Sequence, residues 1–136
     1  MKDEPKRKQL RMIKKQRFLD AVEDYITNVE VIMNRIDKTY AREDVIDMKY
    51  IEQDLEESYF DLEISLATLA VLLRKMSENS YITLPQSVRD DINALIHSAK
   101  FVYDMDSRFI RVYSRRGEEQ IKLAHFLEFA KEVPHL

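Results

Sequence analysis

The sequence holds no cysteine, one glycine and three prolines among its 136 residues. Without cysteine there can be no disulfide, no thiolate metal site and no thiol nucleophile, a composition suited to a reducing compartment, so a cytoplasmic location is expected. The single glycine, Gly117, excludes the glycine-rich loops that let backbone amides approach phosphates. It also excludes the serine nucleophile elbow, which needs a glycine on each side of the serine. Long apolar runs are missing as well. The longest largely apolar stretch, Leu66 to Leu73, falls far short of the roughly 20 residues a membrane span requires. The N-terminal Met1-Lys2-Asp3-Glu4-Pro5-Lys6-Arg7-Lys8 has no apolar segment behind its charges, so no secretory signal is expected. The length suits one domain.

What is present is dominated by Glu, Lys, Arg, Leu, Ile, Ala and Met, the residues that favour helices. The formal net charge is −3, unevenly spread. Residues 1–17 carry eight Lys/Arg against two acids, residues 18–73 carry four bases against fourteen acids, and the remainder nearly balances. A basic N-terminal arm, 1–17, thus leads into a single domain, 18–136, whose first half is acidic.

Apolar residues at Phe18, Val22, Tyr25, Val29, Ile32 and Ile36 alternate in steps of three and four, which predicts a helix over about 6–40. A second stripe, Met48, Ile51, Leu55, Tyr59, Leu62, Leu66, Leu69, Leu73 and Met76, predicts a helix over about 47–77. The two stripes are out of phase by about 200°, so they belong to a hairpin and not to one rod. The turn is expected in the polar cluster from Asp37 to Asp44, with Asp44 or Asp47 as N-cap. Thr83-Leu84-Pro85-Gln86 has the form of a capping box. It would open a third long helix carrying Val88, Ile92, Leu95, Ala99, Val102, Phe109 and Val112, which would end at Arg115-Arg116-Gly117 with glycine as the C-cap. A short fourth helix would start at Glu118-Glu119 and stop at Pro134. The expected fold class is all-α: an antiparallel helical bundle of three long helices plus one short C-terminal helix.

Helical bundles host di-iron sites through Glu-x-x-His pairs. His97 is preceded at that spacing by Ala94 and His125 by Lys122, and Glu132 to His135 is interrupted by Pro134. Glu52, Glu56 and Glu63 are then better read as a solvated face, and His97 as an exposed bystander. Neither a metal nor another cofactor is expected, and no catalytic residue is assigned. Asp106 falls on the apolar stripe of the third helix. A structural role is expected there, a partner such as an arginine from a neighbouring helix or a stripe that opens near the bundle end, in preference to a catalytic acid.

The remaining features concern binding. Leu62 to Met76 is apolar nearly all the way round a helix, so it is either the central element of the bundle or part of an interface with a second copy. Lys6, Arg7, Lys8, Arg11, Lys14 and Lys15 cluster on the arm around Leu10 and Ile13, a basic amphipathic pattern that suits nucleic acid, an anionic membrane surface, an acidic partner or merely solvent. Arg108, Arg111, Arg115 and Arg116 would form a second row at the end of the third helix, interleaved with aromatics. The expectation is a non-enzymatic protein-interaction module, an adaptor, regulator or inhibitor on an oligomerising bundle. The alternative is a nucleic-acid-associated accessory factor that contacts phosphates through the arm and the arginine row. The overall negative charge opposes that alternative.

Overall fold

A computed structural model describes residues 3–41, 48–104 and 106–136. Two long helices, α1 (Glu4–Tyr40) and α2 (Met48–Glu78), are followed by α3 (Gln86–Ile96), strands β1 (Lys100–Asp104), β2 (Phe109–Ser114) and β3 (Gly117–Lys122), helix α4 (Leu123–Glu132) and a 3-10 turn (Val133–His135). None of the described helices is long and apolar enough to cross a membrane.

α1 and α2 form an antiparallel hairpin that lies close to the two apolar stripes. Leu62, Leu66, Leu69 and Leu73 of α2 are fully buried, as are Val29 and Ile36 of α1. Buried hydroxyls fix the axial register. Ser65 Oγ accepts a hydrogen bond from Asn28 Nδ2 at 2.9 Å, and Ser58 Oγ accepts one from Arg35 Nε at 3.0 Å. Slippage by one turn would strand these groups in the core, where an unpartnered hydroxyl costs about 1–3 kcal/mol. Thr39 is also buried and donates to the Arg35 carbonyl oxygen, so Asp37, Lys38 and Thr39 belong to the last turns of α1 and not to the connection. Asp44 and Asp47, the expected N-caps of α2, lie outside the described residues.

The all-α bundle with a third long helix is not what forms. α3 is only 11 residues long, and the chain from Lys100 to Lys122 makes a three-stranded antiparallel meander in the order β1-β2-β3. The physical reason lies in residues 100–114, where Phe101, Val102, Tyr103, Phe109, Ile110, Val112 and Tyr113 concentrate β-branched and aromatic side chains that favour a pleated surface. Their burial alternates: Ile110 and Val112 are buried while Arg111 between them is exposed. Tyr103, Ile110 and Ile121 stand opposite one another across the sheet and are buried in the common core. Val102, Arg111 and Gln120 form the neighbouring row on the outer face.

Further expectations fall with the long helix. Gly117 is not a helix C-cap; it opens β3 at φ +114°, beside the Arg115-Arg116 turn, a backbone conformation that L side chains rarely adopt. Glu118 and Glu119 lie in β3, and α4 starts only at Leu123. The capping box also does not form: α3 begins at Gln86 with Pro85 as its N-cap residue and no side-chain cap hydrogen bond. Asp106 is exposed in the β1–β2 turn. The carboxylate that serves this turn is Asp104, whose Oδ1 accepts the Asp106 and Ser107 amide protons; the Ser107 side chain, then these amide bonds, lowers its pKa.

α4 returns along α1, with Lys131 Nζ 2.8 Å from Glu30 Oε1. Leu123, Phe126, Leu127 and Ala130 complete a single core shared by the hairpin, α3 and the inner face of the sheet.

Candidate functional site

The N-terminal arm is the first turns of α1. Pro5 near the start of the helix has the pre-set φ that suits a first turn, and Lys, Arg, Gln, Leu and Met continue with good helix formers. The last fixed point is Arg11. Its guanidinium lies 4.6 Å from the centroid of the Tyr81 ring and donates to the Ser80 carbonyl oxygen at 3.3 Å. Phe18 supports the same ring from below, with centroids 5.9 Å apart.

Ser80 and Tyr81 end α2. Ser80 adopts φ 59° and the Tyr81 amide donates to the Met76 carbonyl oxygen at 2.9 Å, the bonding of a Schellman C-cap in which serine stands where glycine is usual. Since Arg11 is level with Ser80, residues 4–10 run past the end of α2, which stops at Glu78. That overhang is about 10 Å of helix.

Lys6, Arg7, Lys8 and Lys14 are exposed on this segment and Lys15 is half-buried. Among the described residues none of these cations has an ion-pair partner. Leu10, Met12 and Ile13 are 58%, 71% and 43% exposed. Three of the cations sit in the first turns, at the positive end of the helix dipole, where acids are favoured and bases are not. The arrangement works against the helix that carries it and would suit an anionic surface laid upon it.

The expected arginine row does not exist as a row, because Arg108 lies in the β1–β2 turn, Arg111 on β2, and Arg115 and Arg116 at the β2–β3 turn, not along one helix face. Arg108 sits in the β1–β2 turn at φ 61° and reaches inward to Asp37 Oδ2 at 3.0 Å and the Tyr103 hydroxyl at 2.8 Å. Those contacts raise the Arg108 pKa further above its ordinary value. Arg111 lies on the outer face of the sheet, 3.8 Å from Glu118. The acids that engage these two arginines are Asp37 and Glu118.

Around Arg108 a tyrosine cluster closes one end of the hairpin. The Tyr40 and Tyr59 hydroxyl oxygens are 2.7 Å apart, and the Tyr59 and Tyr103 rings meet edge to face at 6.3 Å. Burial, then the bond to Tyr40, pushes the Tyr59 phenol well above its usual range. Burial likewise raises Tyr103, with the Arg108 contact opposing it. These are groups held neutral and interlocked, which is structural work.

Arg115 and Arg116 are exposed at the β2–β3 turn and line a groove of about 420 Å³ with Asn93, His97, Ser114 and Glu119. His97 is exposed there and forms the C-cap of α3. Nearby Asp91 is half-buried, and desolvation, then the charges of Asp90 and Glu119, raises its pKa to about 6. Among the described residues no group of three His, Asp or Glu side chains is placed to hold a metal ion. Glu63 accepts from Ser98 Oγ at 3.3 Å, while Glu52 and Glu56 face solvent.

The structure thus leaves the ten candidate residues in three places: the arm, the inward turn at Arg108 with Arg111 on the sheet beyond it, and the hairpin tip at Arg115 and Arg116. Sequence reasoning missed two contributors. Tyr81 anchors the arm, a contact across 70 residues that no local pattern announces. The outer side of α2 leaves Phe60 62% and Ile64 48% exposed, and its spacing was there to be read beside the buried stripe. Comparison of the chain with protein-family models, with curated proteins and with solved structures found no match in any of the three.

Proposed function

We propose that the chain is a non-enzymatic protein-interaction module whose docking element is the N-terminal arm of α1. The observation that carries this reading is the overhang beyond Arg11: a helix exposing Leu10, Met12 and Ile13 among cations that have no ion pair among the described residues and that gather at its own positive end. Apolar residues in the middle and charge at the rim is the usual layout of a docking surface. The matching partner is a protein surface that offers an apolar groove bordered by carboxylates, and occupying it would let the chain act as an adaptor, regulator or inhibitor. A nucleic-acid role has less to draw on. Of the ten candidate residues, Arg108 and Arg111 are engaged by Asp37 and Glu118, which leaves the arm and the hairpin-tip arginines for phosphates.

The test is affinity purification of the tagged full chain from its native source, with and without nuclease, beside the variant Leu10→Asp/Ile13→Asp. A protein retained by the native chain regardless of nuclease, and lost from the variant, is the expected result. Release by nuclease would move the assignment to nucleic acid, and equal retention by the variant would contradict the arm as docking element.

A further inference from the structure

Ten large hydrophobic side chains remain exposed among the described residues, and six of them sit on two surfaces: Leu10, Met12 and Ile13 on the arm, and Tyr50, Phe60 and Ile64 on α2. The second surface has an order of its own. Tyr50, Gln53, Glu57, Phe60, Ile64, Ala67 and Val71 succeed one another in steps of three and four, on the side of α2 turned away from the buried Leu62, Leu66, Leu69 and Leu73. That is the seam spacing of a helix packed along another helix. Among the described residues this face is open: Tyr50, Gln53, Glu57, Phe60 and Ile64 of the series are exposed, and Ala67 and Val71 are half-buried.

Charge says what would fit. Residues 50–64 hold six carboxylates and no Lys or Arg. Asp61 is bound by Arg35 at 2.7 Å, but Glu52, Glu56 and Glu57 are exposed and have no ion pair among the described residues. On the arm, Leu10 and Ile13 share a helix face with Lys6, Arg7, Lys14 and Arg17, as steps of 100° per residue require. One surface is an apolar line edged with acids and the other an apolar line edged with bases. They cannot meet within one molecule. Arg11 pins the arm at the Ser80 end of the hairpin, and Phe60 lies about 30 Å away along α2.

We propose that the outer face of α2 is the docking site for the arm of a second copy of this chain, with Leu10 and Ile13 seated against Phe60 and Ile64 and the arm cations beside Glu56 and Glu57. The inference rests on the arm being the docking element and adds the identity of its partner. A two-fold arrangement makes the contact twice, so that both arms and both stripes are covered and no copy of either is left open.

Complementary charge reversal tests it on the full chain. Arg7→Glu/Lys14→Glu reverses the arm, and Glu56→Lys/Glu57→Lys reverses the stripe. All four positions are exposed, and circular dichroism melting confirms that each variant folds. Light scattering on a sizing column should give twice 16.3 kDa for the native chain. Each variant alone should dissociate at least about tenfold more readily, because like charges then face one another. An equimolar mixture of the two should regain the dimer mass, since each arm then meets a stripe of opposite sign. A native chain at 16.3 kDa at the highest attainable concentration, or a mixture no heavier than its components, overturns the assignment. If that monomer still loses a co-purifying protein on arm reversal, the second copy is the wrong partner and the arm is still a docking element. If arm reversal changes neither mass nor co-purification, both readings fall.

Discussion

Residues 4–15 and residues 22–36 belong to one uninterrupted helix, yet they do opposite things. In the second segment Val22, Val29, Ile32 and Ile36 are at most 4% exposed and the polar residues facing α2 find partners. In the first, Leu10, Met12 and Ile13 are exposed and Arg11 ties the segment to the Ser80–Tyr81 turn. The difference separates two uses of apolar surface. Burial in the core stabilises the fold, at roughly 25 cal/mol per Å² removed from water. Apolar surface kept on a helix that nothing within the chain covers stabilises nothing until another surface arrives.

The sharpest way to break this contrast is truncation on each side of it. Leu69→Ala, on the α2 residues that face α1, should lower unfolding free energy in urea by about 2–5 kcal/mol through the cavity it leaves. Leu10→Ala should change it by less than about 0.5 kcal/mol at concentrations that keep the chain monomeric. A large loss at Leu10 under those conditions would mean that the arm is part of the fold.

pH should separate the two regions by a smaller margin. Asp91 belongs to the body, and its pKa is raised to about 6 by burial, Asp90 and Glu119. A raised carboxyl pKa means the folded state prefers the protonated form. The stabilisation is complete below the ordinary carboxyl pKa and is lost as pH climbs through about 6. Asp91→Asn removes that loss. The variant should be more stable than the native chain by about 1 kcal/mol at pH 7, after allowance for solvent screening, and equal to it below about pH 4. Urea melts at the two pH values check this, and docking of the arm should not follow the same profile.

Both long helices could be read from the sequence because each buries one continuous stripe, and steps of three and four over 30 residues fit no other element. The sheet could not. Val102, Phe109 and Val112 fit a helical stripe as well as a strand, because a five-residue strand is too short to establish a period of two against 3.6. Arg115-Arg116-Gly117 serves a helix end and a hairpin turn equally. The better clues were the run of β-branched and aromatic residues and the Asp104-to-Ser107 turn chemistry, and the helical reading gave both too little weight. On the candidate surfaces, the arm cations were visible as composition. The fates of Arg108 and Arg111 were not, because they depend on Arg108 falling in a turn within reach of Asp37, 71 positions away, and on the strand face that Arg111 takes.

The most direct measurement is amide hydrogen exchange of the native chain at low and high concentration, followed at residues 4–17 and 50–64 with 22–36 as internal reference. Protection that rises together in the arm and on α2 as concentration increases, while the reference stays constant, is the result that docking of one copy's arm on another's α2 predicts. Exchange in both segments that is indifferent to concentration would contradict it.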